Sequence, residues 1–229
     1  GIQHVHLFDQ FMRYAHSYIS LLLAIFTLAG SAQNLVPNPG FEGNCSPGAL
    51  GNGYFGADHW YNANGGTFDF YAATEPSTSC LLVGTENLNW DLYNEVQAPF
   101  EGDRFVGGIM YMSSLCIREM IQCKLLEPLQ EGKTYCFSMQ VAFSGMFDRA
   151  CNGVGVALSN DSTVNFASSC TLGLTPLVQF EDAVTDTENW MTLSIEFIAA
   201  GGEQYLTIGN QLDDADVINE VVDGSTEST

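Results

Sequence analysis

Two short clusters combine aromatic rings with amides and carboxylates. One is Trp60-Tyr61-Asn62, with Asn64 close behind, and the other is Trp90-Asp91 with Tyr93. Sugar rings stack through their C–H faces on Trp and Tyr, while Asn and Asp bond the hydroxyls, so both clusters are candidate glycan contacts. The competing reading is packing, because aromatic side chains commonly supply core contacts. Trp190 opens an alternating apolar run and is read as core.

Other chemistry finds less support. A glycosidase needs two carboxylates facing each other across a sugar. With 27 acidic residues in 229, such a pair arises by chance and argues for nothing. G-x-S-x-G, H-E-x-x-H and P-loop patterns are absent from the sequence. Asp213-Asp214-Asp216 lacks the glycine and distal glutamate of an EF-hand loop and is read as a solvated acidic turn. Arg118 and Glu119 adjoin, and on a strand they face opposite ways. One buried, paired arginine and one rim carboxylate are therefore expected. The expectation is a protein that is not an enzyme.

The seven cysteines form no C-x-x-C pair, which disfavours a redox motif or a zinc knuckle. Disulfides are the default in an exported chain. Cys45 with Cys80 is the preferred pair, both lying in Gly/Ser/Pro surroundings, and Cys136 with Cys151 or Cys170 comes next. Cys116 and Cys123, seven apart on one strand, would point to opposite faces and resist bridging. An odd count leaves at least one thiol free or paired outside the chain.

These groups sit on an unusually charged scaffold. Six basic residues against 27 acidic ones give −21, although charged residues are only 14% of the chain. A nucleic-acid backbone binder is excluded, since phosphate neutralisation needs clustered Lys and Arg. Docking to an anionic membrane is disfavoured for the same reason. A hydrophobic content of 46% supports a core and disfavours disorder.

Near the N-terminus, Met12-Arg13 is followed by an apolar run over 19–29 and then by Gly30-Ser31-Ala32. A basic start, a short apolar stretch and a small-x-small exit describe a secretory signal peptide over 12–32, cut after Ala32. The apolar run is too short for a bilayer, which needs about 20 residues. No membrane insertion of the mature chain is expected. Translation is expected to start at Met12, leaving 1–11 as upstream read-through outside the fold. His59 is the one histidine beyond position 32, which leaves little scope for a zinc site or a His-based triad.

Twenty-three glycines, with many Asn, Ser and Thr, point to frequent turns and an all-β chain. The run 134–143 (TYCFSMQVAF) alternates strictly and predicts a half-buried strand. Shorter strands are expected over 67–72, 104–112, 115–126, 153–158 and 177–180. The runs 190–199 and 204–209 are expected to pair as a hairpin across Ala200-Gly201-Gly202. The sum is roughly eight to ten antiparallel strands in a β-sandwich or jelly roll over 33–214, preceded by the signal-peptide helix. The tail, 215–229, is acidic and Ser/Thr-rich.

Several blocks resemble a family of exported β-sandwich domains from surface proteins of gliding and related Gram-negative bacteria. They are NLVPNPGFE (34–42) with Cys45 and Trp60, GDRFVGG (102–108), REMI (118–121), LEPLQEGKTYCF (126–137) and GGEQYLTIGNQLDD (201–214). Met120 and Gln211 depart from the aromatic residues of the family pattern. The resemblance implies a carbohydrate-binding-module-like, galactose-binding-type jelly roll, with Trp60 on a buried strand. In the family, an OmpA-like domain or a gliding-motility-associated sorting domain of the type IX secretion route usually follows. The family's closing "Y-x-I-D-D-V" strand has no counterpart here, so a truncation point in the tail is the expectation.

The resemblance also implies a structural calcium, held by a glutamate at the position of Glu42 together with a last-strand carboxylate. Glu42 and Asp103 are the candidate ligands, calcium taking six to eight oxygens. A solvated surface carboxylate is the competing reading for both. The expected function is an exported, non-catalytic binding module for a glycan or cell-surface polysaccharide, secreted or held at the outer surface of a Gram-negative cell. The alternative is a structural or adhesive surface module without a sugar site.

Overall fold

The computed structural model describes residues 1–10, 33–43, 56–72, 99–102, 104–112, 116–145 and 147–222. Two five-stranded antiparallel sheets face each other across one core. The first runs β10-β6-β1-β4-β3 and the second β2-β5-β11-β8-β9; a two-stranded ribbon, β12-β7, lies beside them. In chain order the strands are β1 Ile2–Gln10, β2 Trp60–Asn62, β3 Asp69–Ala72, β4 Arg104–Gly107, β5 Ile121–Lys124 and β6 Thr134–Val141. They continue with β7 Arg149–Cys151, β8 Val154–Ser159, β9 Pro176–Gln179, β10 Met191–Ile198, β11 Tyr205–Asn210 and β12 Asn219–Val221. The protein is an all-β sandwich.

Side-chain alternation explains the sandwich. On β6, Tyr135, Phe137, Met139 and Val141 are buried while the residues between them are half-exposed. They join Leu193 of β10 and Val106 of β4 on one inner face. Val156, Leu206, Ile208, Ile121 and Cys123 come from the opposing sheet into the same apolar cluster. Period-two burial requires this, since successive strand side chains point to opposite faces.

β10 and β11 do not form the expected hairpin. β10 pairs with β6 in the first sheet, and β11 pairs with β5 and β8 in the second. The connection therefore crosses from one sheet to the other. It turns on Gly201 and Gly202, with φ of 96° and 92°, a region that side-chain-bearing residues rarely adopt. A Cβ on Gly201 would also fall 2.7 Å from Cβ of Glu131.

The N-terminal residues depart furthest from the sequence reading, which set 1–11 outside the fold. Ile2–Gln10 is the middle strand of the first sheet, antiparallel to β6 on one side and β4 on the other. Leu7 and Ile2 sit in the core. Burial along this strand does not alternate strictly, Ile2, Gln3 and Leu7 all being buried across a shift of register between Gln3 and His6, and backbone pairing with β6 holds the strand in place. The segment 12–32, read from sequence as a signal peptide, lies outside the described residues.

Candidate functional site

Trp60 is 1% exposed. Its ring packs on Phe41 at 4.8 Å between centroids, and its Nε1 donates to the Asn38 carbonyl at 3.1 Å. It is core and offers no face to a ligand. Asn62 is likewise buried, with its Oδ1 accepting from the Phe68 amide at 3.1 Å. Tyr61 is half-buried and its hydroxyl donates to Gln122 Oε1 at 2.6 Å. Burial raises the pKa of that phenol. The first aromatic cluster is thus a packing unit on β2. Trp90, Asp91 and Tyr93 lie outside the described residues.

Glu42 is exposed and lines a shallow depression with Asn38, Gly43, Asp58 and His59. Its Oε1 stands over the backbone of Gly102, where an added Cβ would come within 2.7 Å. Glu42 therefore adjoins the turn that leads to Asp103, which itself lies outside the described residues. Among the described residues no group of three or more His, Cys, Asp or Glu side chains is placed to hold a metal ion.

Cys116 and Cys170 form a disulfide, with Cα atoms 5.1 Å apart. Cys170 is therefore not the partner of Cys136. Cys123, Cys136 and Cys151 are free thiols. Burial pushes the Cys151 thiol up to about 11 and holds that of Cys123 well above its ordinary value. Cys45 and Cys80 lie outside the described residues.

The more promising concavity lies at one end of the first sheet. It encloses about 610 Å³ and is bounded by the start of β1, the segment following β4, the exit of β6 and the β7 ribbon. Its wall carries the carboxylates of Asp69 and Glu119 and the rings of Tyr111, Phe143 and Phe147. Phe147 is 46% exposed, so the cavity has an aromatic group that solvent reaches.

Glu119 is 7% exposed and is held by backbone donors. The Thr67 amide donates to Oε1 at 2.9 Å and the Ile109 amide to Oε2 at 2.7 Å. Burial, foremost, pushes its pKa up to about 7. The Asp69 charge adds to this, and the two amide bonds oppose it. Near neutrality the carboxyl is therefore divided between acid and anion, able to donate or accept toward a bound hydroxyl. Arg118, beside it, is buried and paired as expected. Its Nη2 donates to Asp214 Oδ1 at 2.6 Å, and its guanidinium lies 4.8 Å from the Tyr111 ring centroid. Glu119 was expected on the rim and is instead inside. Residues 116–120 are not in a regular strand, so the opposite-faces rule does not govern the pair.

Sequence reasoning missed this site, although one signal pointed to it. Glu119 stands within the apolar run 115–126, where a carboxylate needs partners to be buried. Comparison with family models, with curated proteins and with solved structures finds no match to the chain.

Proposed function

We propose that the protein is an exported, non-catalytic jelly-roll module that binds a glycan or cell-surface polysaccharide. The sugar is seated in the cavity beside Glu119 rather than on Trp60. The carrying observation is the combination of Asp69 and Glu119 carboxyls with the Tyr111, Phe143 and Phe147 rings around about 610 Å³. Ligand pockets commonly fall in the range of roughly 300–1,000 Å³, with few polar groups on a mostly apolar lining. Carboxyls take the hydroxyls, and aromatic faces take the C–H side of the ring.

Export to the outer surface of a Gram-negative cell belongs to the same reading and rests on the features of 12–32 and on the family resemblance; a cut after Ala32 would take Gly1 and Ile2 from the cavity wall and leave its carboxyls and rings in the chain. A structural calcium at Glu42 and Asp103 belongs to that reading as well, with Glu42 beside the turn before Asp103. A glycan array probed with the full chain, with and without calcium, tests the proposal. Binding to a defined glycan that Phe147→Ala and Tyr111→Ala weaken is expected. No binding by the unmodified chain overturns it.

The second reading, a structural or adhesive module without a sugar site, draws on the burial of Trp60 and Asn62. It forecasts an array without signal.

A further inference from the structure

β1 occupies its place in the sheet much as a bound peptide would. Its backbone pairs with β6 from Ile2 opposite Val141 to Gln10 opposite Thr134, with a shift of register between Gln3 and His6. On its other side Ile2 faces Val106 of β4. The Gly1 carbonyl accepts from the Ala142 amide at 2.9 Å. Leu7 fills the core at 0% exposure.

Gln3 is equally buried and closes the β4 side. Its amide nitrogen donates to the Glu101 and Arg104 carbonyls, and its Oε1 accepts from the Phe100 and Glu101 amides. Withdrawing β1 would divide the sheet into β10-β6 and β4-β3, each with an unpaired edge beside an apolar trough.

We propose that the groove between β4 and β6 is a strand-acceptor site. It binds an extended peptide with apolar side chains seated as Ile2 and Leu7 are and a glutamine seated as Gln3 is, antiparallel to β6, and β1 is its exchangeable occupant. Main-chain bonds give such strand addition its affinity, and side-chain pockets give it specificity. A start at Met12 or a cut after Ala32 would each free the groove for another strand of this kind. The proposal does not rest on the glycan reading. Gly1 and Ile2 also line the cavity, so the test is placed at Leu7, which does not.

The experiment uses the full chain carrying Leu7→Asp and a fluorescein-labelled peptide of residues 1–10. Fluorescence anisotropy is expected to show one peptide bound per variant chain and little binding to the unmodified chain, whose groove is filled. A control peptide carrying the same Leu7→Asp change should bind at least about tenfold weaker, as loss of one buried leucine implies. A folded variant that ignores the peptide, or equal binding by the unmodified chain, overturns the proposal. So do dimers of the variant that excess peptide fails to dissociate, because the groove then takes a second copy. If the variant does not fold alone, refolding with the peptide should restore its near-ultraviolet circular dichroism. Failure of that rescue also overturns the proposal.

Discussion

Arg118 donates to Asp214 across 2.6 Å, yet the two ends of this ion pair live in different media: the arginine side chain is 1% exposed and the aspartate 55%. The cation cannot reach water if its partner leaves, whereas the anion can. Asp214 also lies in the 3-10 turn at Asp214–Asp216, and so ties that turn to the segment before β5. Removing the aspartate strands a buried charge, whose cost is set by desolvation rather than by the strength of a surface pair. Asp214→Ala is expected to lower unfolding free energy by about 1–2 kcal/mol, the exposed carboxylate discounting the buried-pair figure. Urea denaturation of the variant against the unmodified chain checks it, and little response to added salt is expected.

Glu119 gives a pH dependence of definite sign. Its folded pKa of about 7 stands above the ordinary 4.5, with burial the largest cause. Between those values the folded state keeps a proton that the unfolded state has released. Stability linked to this group is therefore fully present below 4.5 and lost as pH rises through about 7. Glu119→Gln cannot titrate and should remove that component of the slope. The check is the difference in urea midpoint between the two proteins across the window. A slope unchanged by the substitution would place the titration elsewhere.

The Cys116–Cys170 bridge spans 54 residues of sequence. It holds the strand-less segment 116–120 against the loop at 168–170, where Arg118 and Asn64 also bond the backbone. Closing a loop of that length stabilises a chain by roughly 4 kcal/mol in the chain-entropy estimate. Replacing both cysteines by alanine should lower unfolding free energy by an amount of that order, measured by urea titration under non-reducing conditions. Addition of a reductant should then shift the variant's midpoint less than that of the unmodified chain.

What the sequence made legible was set by periodicity. The alternation at 134–143 marks β6 correctly because one face of that strand meets the core and the other does not. The sheet crossover after Ala199 was not legible, because two amphipathic strands joined by a short glycine turn look alike whether they pair or separate. Cys116–Cys170 was hidden for a related reason: sequence separation carries little information about which loops meet in a sandwich. The cavity was hidden because its wall combines Ile2 of β1, Asp69 of β3 and Phe105 of β4 with Glu119 and Phe143 from connecting segments, which lie far apart in the chain. The placement of β1 was overlooked because signal-peptide features downstream of it decided how residues 1–11 were read.

Trp60 separates packing from binding. Its burial against Phe41 and its bond to the Asn38 carbonyl make it a support for the chain around Glu42. Trp60→Ala opens a large cavity and is expected to cost about 3–5 kcal/mol. Trp60→Phe should cost less and leave any glycan affinity unchanged. A loss of glycan binding in a Trp60→Phe protein of near-normal stability would return the sugar site to β2.

His6 makes the seat of β1 sensitive to acid. Its ring lies in a chain of contacts: His4 Nδ1 is 2.6 Å from His6 Nε2, Asn34 Nδ2 is 3.0 Å from His6 Nδ1, and Glu101 sits 3.0 Å beyond on the other side of His4. Burial first, and the His4 charge second, lower the His6 pKa, while Glu101 works the other way. A histidine with a folded pKa below 6.5 binds its proton more readily when unfolded. The linked stability is therefore present above 6.5 and lost as pH falls through the lower folded value. Glu119 works the other way over part of this range but does so in both proteins, so the check is the thermal midpoint of the unmodified chain relative to His6→Gln, which should fall below pH 6.5. His6→Gln keeps an acceptor for Asn34 without a titrating ring, and its midpoint should fall less over the same range. Equal losses in the two proteins would remove His6 from the acid response.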